Sequence, residues 1–306
     1  MISIIAHGDA DGVCSAAIAL THFIEKGYTS EELNLYFSQP YTLCEVLNEV
    51  PNAELLVILD VSVNKKSVDK IINMYINGKF GNVVVIDHHE SSLRFRCLFD
   101  GLIETNLSAS QLTSMYFRVP SKLADYGAIA DKFLLVQKQS EDYEQVELLR
   151  ESLSYDTTDF DFKRSIAFAL IYKKPSEIPE LVRRANESVK HKNEILKIVE
   201  ANVVHCHGFV FIDAREVEVS GVASSVAGTL STKYRLPVFL LFRNKDTTVL
   251  CARAIREIDI NLNEVVKTVG VGGGHKCAAS CRVKDEMTVE KIIDTLDKAI
   301  NKKVVV

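Results

Sequence analysis

The chain has 306 residues, 47% of them apolar and 25% charged, with only 14 glycines and 6 prolines. That length fits about two domains, and that balance excludes a disordered, collagen-like or low-complexity chain. A net charge of −5 argues against a duplex-DNA coat protein, which needs a basic stripe, and no apolar run reaches the roughly 18 residues of a membrane span.

The opening Met1-Ile-Ser-Ile-Ile lacks the basic start of a signal peptide, so a cytoplasmic protein without membrane contact is expected. Seven cysteines, an odd number without a C-x-x-C pair, predict reduced, packed thiols rather than a disulfide framework. Cys206, inside His205-Cys206-His207, has no second Cys/His cluster at finger spacing and reads as a buried strand position.

In chain order, residues 2–6 form an apolar run that ends in a His/Asp/Gly turn, and a helix is predicted over 13–26. Ala16, Ala17, Leu20, Phe23 and Ile24 lie there at helical spacing. A second run, 55–59, stops at Asp60 and is followed by a predicted helix over 65–76. A third, 83–86, stops at Asp87-His88-His89. Continuous apolar runs alternating with helices predict an α/β fold, a parallel sheet covered by helices on both faces.

From 108 to about 203 the pattern is helical, broken at Pro120, Pro175 and Pro179, and 178–203 reads as a helical connector. Strands are then predicted at 209–212, 238–242 and 249–252, with helices at 222–234, 262–268 and 288–301. The expected organisation is a catalytic domain over 1–177, the connector, and a smaller α/β domain over 204–306, with the active site in the cleft between domains. The last 103 residues carry a net +3 and the rest a net −8. That split suits an anionic substrate on one side and a cationic cofactor on the other.

Three strand ends deliver ligand chemistry. His7-x-Asp9-x-Asp11 places three ligand-capable side chains at i, i+2 and i+4, which point the same way on extended backbone. Gly12 then lets the chain turn into a helix. Asp60 and Asp87-His88-His89 close the second and third runs, and the carboxyl ends of strands form the ligand crevice of an open α/β sheet.

These residues resemble the first three motifs of the DHH phosphoesterase superfamily, which includes RecJ-like exonucleases, oligoribonucleases and cyclic-dinucleotide phosphodiesterases. Asp131, in Ala128-Ile129-Ala130-Asp131, is similar to the fourth motif. Gly272-Gly273-Gly274-His275 followed by Cys277-Ala278-Ala279 resembles the signature of the DHH-associated C-terminal domain, although Ser280 stands where the family often has Gly. The resemblance implies a two-metal centre. One ion would take His7, Asp9 and Asp60; the other would take Asp11, Asp60, His88 and Asp131, with Asp60 bridging. Mixed carboxylate and imidazole ligands suit Mn²⁺, with Mg²⁺ or Co²⁺ as substitutes. Asp11 also counts among the catalytic residues, with His89 donating to the phosphate or leaving group and Asp87 orienting it.

On the substrate side, the segment 269–275 fails G-x-G-x-x-G because residue 275 is His, and no P-loop occurs. Three consecutive glycines bare their backbone N–H groups to a phosphate, or simply form a flexible turn. The resemblance implies that Gly272, Gly273, Gly274 and His275 contact the nucleotide. Arg253, ending an apolar strand, is either a surface residue or a phosphate clamp, and the resemblance favours the clamp. Ser108 and Ser110 are either helix-capping residues or, by resemblance, phosphate neighbours.

The function implied is Mn²⁺-dependent hydrolysis of short or single-stranded nucleic acid, an exoribonuclease or oligoribonuclease releasing nucleoside monophosphates in RNA degradation. Two alternatives stand beside it: a cyclic or linear dinucleotide phosphodiesterase of the c-di-AMP type, and an inactive scaffold in a replication or RNA-processing complex. A homodimer is compatible with the sequence, which sets neither oligomeric state nor cleavage polarity.

Overall fold

The structure is a computed structural model that describes residues 1–219, 221–244, 246–284 and 286–301. The chain divides into two compact units, Met1–Glu187 and the residues from Ser188 onward.

The first unit is built on a five-stranded parallel sheet in the order β2-β1-β3-β4-β5. Its strands are β1 (Ile2–His7), β2 (Leu33–Ser38), β3 (Ala53–Leu59), β4 (Phe80–Asp87) and β5 (Asp100–Ile103). The helices are α1 (Ala10–Glu25), α2 (Leu43–Glu49), α3 (Lys65–Ile76), α4 (Ala109–Phe117), α5 (Lys122–Ala130), α6 (Glu141–Tyr155) and α7 (Phe160–Leu170), and α8 (Pro179–Glu200) starts here. Burial on both faces explains the unbroken apolar runs. Ile2, Ile4, Ala6, Val57, Leu59, Val84 and Ile86 share one core with α1. Ile5, Leu56, Ile58, Val83 and Val85 share the other with Leu43, Leu47, Val68 and Ile71 from α2 and α3.

The predicted parallel α/β sheet is present, with β2 and β5 added at its two edges. The chain leaves β1 toward β2 on one side and returns to β3 on the other. The carboxyl ends of β1 and β3 therefore flank a topological switch point, where ligands bind in open sheets.

The second unit holds a six-stranded mixed sheet in the order β10-β11-β9-β8-β7-β6, in which only β7 and β8 pair in parallel. Its strands are β6 (Val203–Cys206), β7 (Phe209–Asp213), β8 (Val238–Asn244), β9 (Thr247–Arg253), β10 (Gly270–His275) and β11 (Ala278–Val283). Helix α9 (Ala223–Tyr234) and the end of α8 cover one face through Val226, Leu230, Ile195 and Val199. Helices α10 (Leu262–Val269) and α11 (Val289–Asn301) cover the other through Leu262, Val266, Ile292 and Leu296. The glycine run, which in sequence suits either a phosphate-facing backbone or a flexible turn, is the edge strand β10. Cys206 is only half-buried, in β6. Among the described residues, no helix is long and apolar enough to cross a membrane.

Candidate metal centre

The carboxyl ends of β1, β3 and β4 deliver the acidic and imidazole side chains to one place. His7 is the last residue of β1, Asp9 is the N-cap of α1, and Asp11 lies in the first turn of that helix. Asp9 is still extended, but Asp11 is helical, because Asp9 Oδ1 accepts from Gly12 N at 3.0 Å and starts the helix at Ala10. Asp60 follows β3 with a left-handed φ of 60°, its N–H donating to Ile86 O at 2.9 Å. Asp tolerates that conformation better than most residues.

Asp11 is fully buried. Its carboxylate accepts from Ala109 N at 2.7 Å and Ser110 N at 3.0 Å, both at the start of α4. Helix α5 brings Asp131 as its C-terminal cap.

Three sets of side chains converge within 4.8 Å: His7, Asp9 and Asp60; Asp11, His88 and Asp131; and Asp60, His88 and His89. Asp60 joins the first two sets, since its Oδ2 lies 3.7 Å from His7 Nδ1 and its Oδ1 lies 3.1 Å from His88 Nε2. His88 Nε2 is also 3.5 Å from Asp131 Oδ2. Asp60 is 1% exposed, and neither of its oxygens has an aligned hydrogen-bond donor. His7 Nδ1 stands 2.9 Å from Asp9 Oδ2, likewise without hydrogen-bond alignment. Burying a carboxylate unpaired is costly, and divalent cations between these oxygens and imidazoles would satisfy them all. The donor set fits Mn²⁺ or Mg²⁺.

The electrostatics record the crowding of negative charge. Burial, followed by the charges of Asp9, Asp11, Asp131 and Asp87, pushes the Asp60 carboxyl well above the carboxylate range. Burial first, then Asp9, lifts Asp11 to about 6, and burial with Asp9 and Asp11 lifts Asp131 to about 7. Burial opposes protonation of His7, yet Asp9 beside it raises the imidazole to about 9. Against the pull of burial, His7 in turn holds Asp9 well below the usual range.

His89 Nδ1 lies 2.7 Å from Asp87 Oδ1, and Asp87 is fully buried. Burial disfavours both charges, but the bond lowers the Asp87 pKa and raises that of His89.

Two supporting residues escaped the sequence reading. Gln39, just past β2, places its Oε1 3.0 Å from His7 Nε2 and so fixes that ring. Lys163 in α7 is 2% exposed and donates to Thr157 O at 3.0 Å. Its Nζ occupies the space a side chain at Gly8 would need, 2.7 Å from where that Cβ would stand. A glutamine and a buried lysine carry no signal at such sequence distances from His7.

The remaining expected site residues fall in two groups. Ser108 and Ser110 are fully buried, their hydroxyls 2.9 Å apart, with Ser110 Oγ donating to Ala124 O at 3.1 Å. They sit behind Asp11, whose carboxylate accepts from the Ser110 backbone N–H, and are buried and hydrogen-bonded to each other. In the second unit, His275, Ala278 and Arg253 form one row across β10, β11 and β9. Arg253 donates to Ser224 Oγ and to Ala252 O. His275 is exposed at the end of β10, with Gly272, Gly273 and Gly274 leading to it.

Residues 1–148 match the family model of the DHH family, N-terminal domain, and residues 208–302 match that of the DHHA1 domain. The chain belongs to the DHH superfamily. Its members are metal-dependent phosphoesterases, and the ligand-rich strand ends described above all lie within the DHH match.

No curated protein matches the sequence. Among solved structures, the chain is similar to PggH, a pGpG-specific phosphodiesterase from Vibrio cholerae, with 15% identity and a TM-score of 0.67 over 99% of both chains. It is also similar to RecJ from Thermus thermophilus in complex with Mn²⁺, at 16% identity and a TM-score of 0.67, covering 98% of this chain and 52% of RecJ. An exopolyphosphatase-related protein from Bacteroides fragilis aligns with 14% identity and a TM-score of 0.60, over 98% of this chain and 92% of its own. At these identities the likeness is one of fold.

Proposed function

We propose that this DHH-superfamily chain hydrolyses phosphodiester bonds of short or single-stranded nucleic acid at a two-ion centre, releasing nucleoside monophosphates. The observation that carries the reading is Asp60, whose two buried oxygens lack an aligned hydrogen-bond donor and face His7 and His88, one in each ligand set. His7, Asp9 and Asp60 would hold one ion; Asp11, Asp60, His88 and Asp131 would hold the other, with Mn²⁺ the best match to the ligands. Bound divalent ions supply Lewis acidity toward a phosphoryl oxygen and lower the pKa of the attacking water.

Four carboxylates among the six ligands balance two divalent charges, so an anionic phosphodiester can approach. Hydrolysis forms a bond from water oxygen to phosphorus and breaks the bond from phosphorus to the leaving oxygen. His89, whose pKa the bond to Asp87 raises, is the group set to give that oxygen its proton. Arg253, His275 and the unpaired edge of the glycine strand are assigned to the substrate phosphates.

The short end of the substrate range is supported by length. The chain and PggH cover 99% of each other, whereas the chain spans about half of RecJ. That comparison also favours a second reading, a dinucleotide phosphodiesterase at the same centre.

The test is a substrate panel with Mn²⁺: 5′- and 3′-labelled oligoribonucleotides and oligodeoxynucleotides, pApA, pGpG, cyclic di-AMP and inorganic polyphosphate. Fastest cleavage of dinucleotides and short oligonucleotides to monophosphates is expected. Hydrolysis of polyphosphate alone would overturn the reading.

A further inference from the structure

Directly after Asp131 the chain carries Lys132-Phe133-Leu134-Leu135, and this segment is held in place. Lys132 takes a left-handed φ of 64°, and the N–H groups of Phe133 and Leu134 both donate to Ala128 O, at 2.8 and 3.0 Å. Val136 packs on the core at the far end. Despite this anchoring, Phe133, Leu134 and Leu135 are 38%, 38% and 80% exposed, the longest run of exposed large apolar side chains among the described residues.

The run is not remote from the chemistry. The Phe133 ring meets the His88 ring edge-on, with centroids 5.2 Å apart, and His88 belongs to two of the three converging ligand sets. An apolar surface of this kind, rigidly presented beside a strongly polar centre, has a cost unless something flat and apolar covers it.

We infer that Phe133, with Leu134 and Leu135, is a stacking platform for the nucleobase attached to the phosphate being cleaved. This rests on the proposed phosphodiesterase reading and adds to it a reason for choosing nucleotides over inorganic polyphosphate, which has phosphates but no base. In a nucleotide the anionic phosphate and the flat base are a few bonds apart, which matches a charge-balanced two-ion centre bordered by an aromatic ring. Stacking on an aromatic side chain tolerates any base, so the platform confers preference for a nucleotide without base identity.

The experiment compares pApA with its doubly abasic analogue, both with Mn²⁺, on wild type, Phe133→Ala, Phe133→Tyr and Tyr75→Ala. Tyr75 is an exposed aromatic near the end of α3, outside the centre, and serves as control. Wild type is expected to prefer pApA by about tenfold or more in kcat/KM. Phe133→Ala should lose that preference mainly through KM, with a much larger loss on pApA than on the abasic analogue, and retain its Mn²⁺ content. Phe133→Tyr should restore the preference, and Tyr75→Ala should keep it.

If Phe133→Ala retains the preference, or slows both substrates equally, the platform is wrong while the phosphodiesterase reading stands. Should wild type cleave neither substrate, that reading fails and the platform with it.

Discussion

A β-carbon at Gly127 would stand 2.1 Å from Asp11 Oδ1. Gly127 lies inside α5, where alanine would favour the helix by about 1 kcal/mol, so the glycine is explained by the carboxylate it accommodates. Asp11 cannot move aside, because the amides of Ala109 and Ser110 hold it. Gly127→Ala is therefore expected to destabilise the protein by about 1–3 kcal/mol through overpacking and to weaken Mn²⁺ binding. Urea denaturation and Mn²⁺ titration check this; a stabilised variant with unchanged affinity would refute it.

The metal-free centre should make stability fall with rising pH. Asp11 at about 6, Asp131 at about 7 and the raised Asp60 bind protons more tightly folded than unfolded, where a carboxyl titrates near about 3.9. Their stabilisation is complete below the unfolded value and is lost as pH rises through the folded ones. His7, at about 9 folded against about 6.5 unfolded, acts in the same direction at higher pH. Asp9 is lowered and acts oppositely, in acid below the unfolded carboxyl value. In EDTA, Tm should drop from about pH 5 to about pH 9, while the gain in Tm from added Mn²⁺ should grow as protons leave the ligands. A Tm in EDTA that rises over this window would contradict the assignment.

Asp60→Asn separates function from stability. Asn adopts the left-handed backbone that Asp60 requires and resembles the protonated carboxyl in shape. In EDTA near pH 8 the variant should melt above wild type, because the raised Asp60 carboxyl costs stability above its unfolded pKa and an amide does not ionise. At about pH 5, close to the unfolded carboxyl value, the difference should shrink. Calorimetry at the two pH values measures it, and a variant that melts lower at both would count against the crowding of charge at Asp60.

In the second unit, adjacent glycines should respond differently. A Cβ at Gly272 would stand 2.2 Å from Ser280 O and 2.5 Å from Cys281 Cα, both backbone atoms of β11, whereas one at Gly273 meets Asn263 Oδ1 at 3.2 Å. The first clash has no relief, while the second only asks a side-chain tip to swing. In the full chain, Gly272→Ala should cost about 1–3 kcal/mol and Gly273→Ala less than about 0.5 kcal/mol. Hydrogen exchange of the β10 and β11 amides would report it, and equal losses at both positions would rule out the backbone clash as the cause.

What the sequence disclosed follows from where the information sits. Strands β1, β3 and β4 were legible because burial on both faces leaves unbroken apolar runs, and the acidic and imidazole residues stood out by interrupting them. Strand β2, with its alternating Leu33, Leu35 and Phe37, and the four-residue β5 give weaker signals than the fully buried strands. Strand β10 hid because a glycine run carries no side-chain pattern; its pairing with β11 depends on close backbone approach. Ser108 and Ser110 read equally well as caps or phosphate neighbours, because the same Ser-x-Ser before a helix serves either role. Gln39 and Lys163 lie far along the chain from the residues they support, at separations where local spacing is silent.

The central claim is that Asp60 joins two ions into one hydrolytic centre. Equilibrium dialysis of Mn²⁺ against wild type and Asp60→Asn, with pApA cleavage assayed on the same samples, tests it most directly. Two ions per wild-type chain are expected and, in the variant, at most one ion with cleavage lost. A variant that binds two ions and cleaves at the wild-type rate would contradict it.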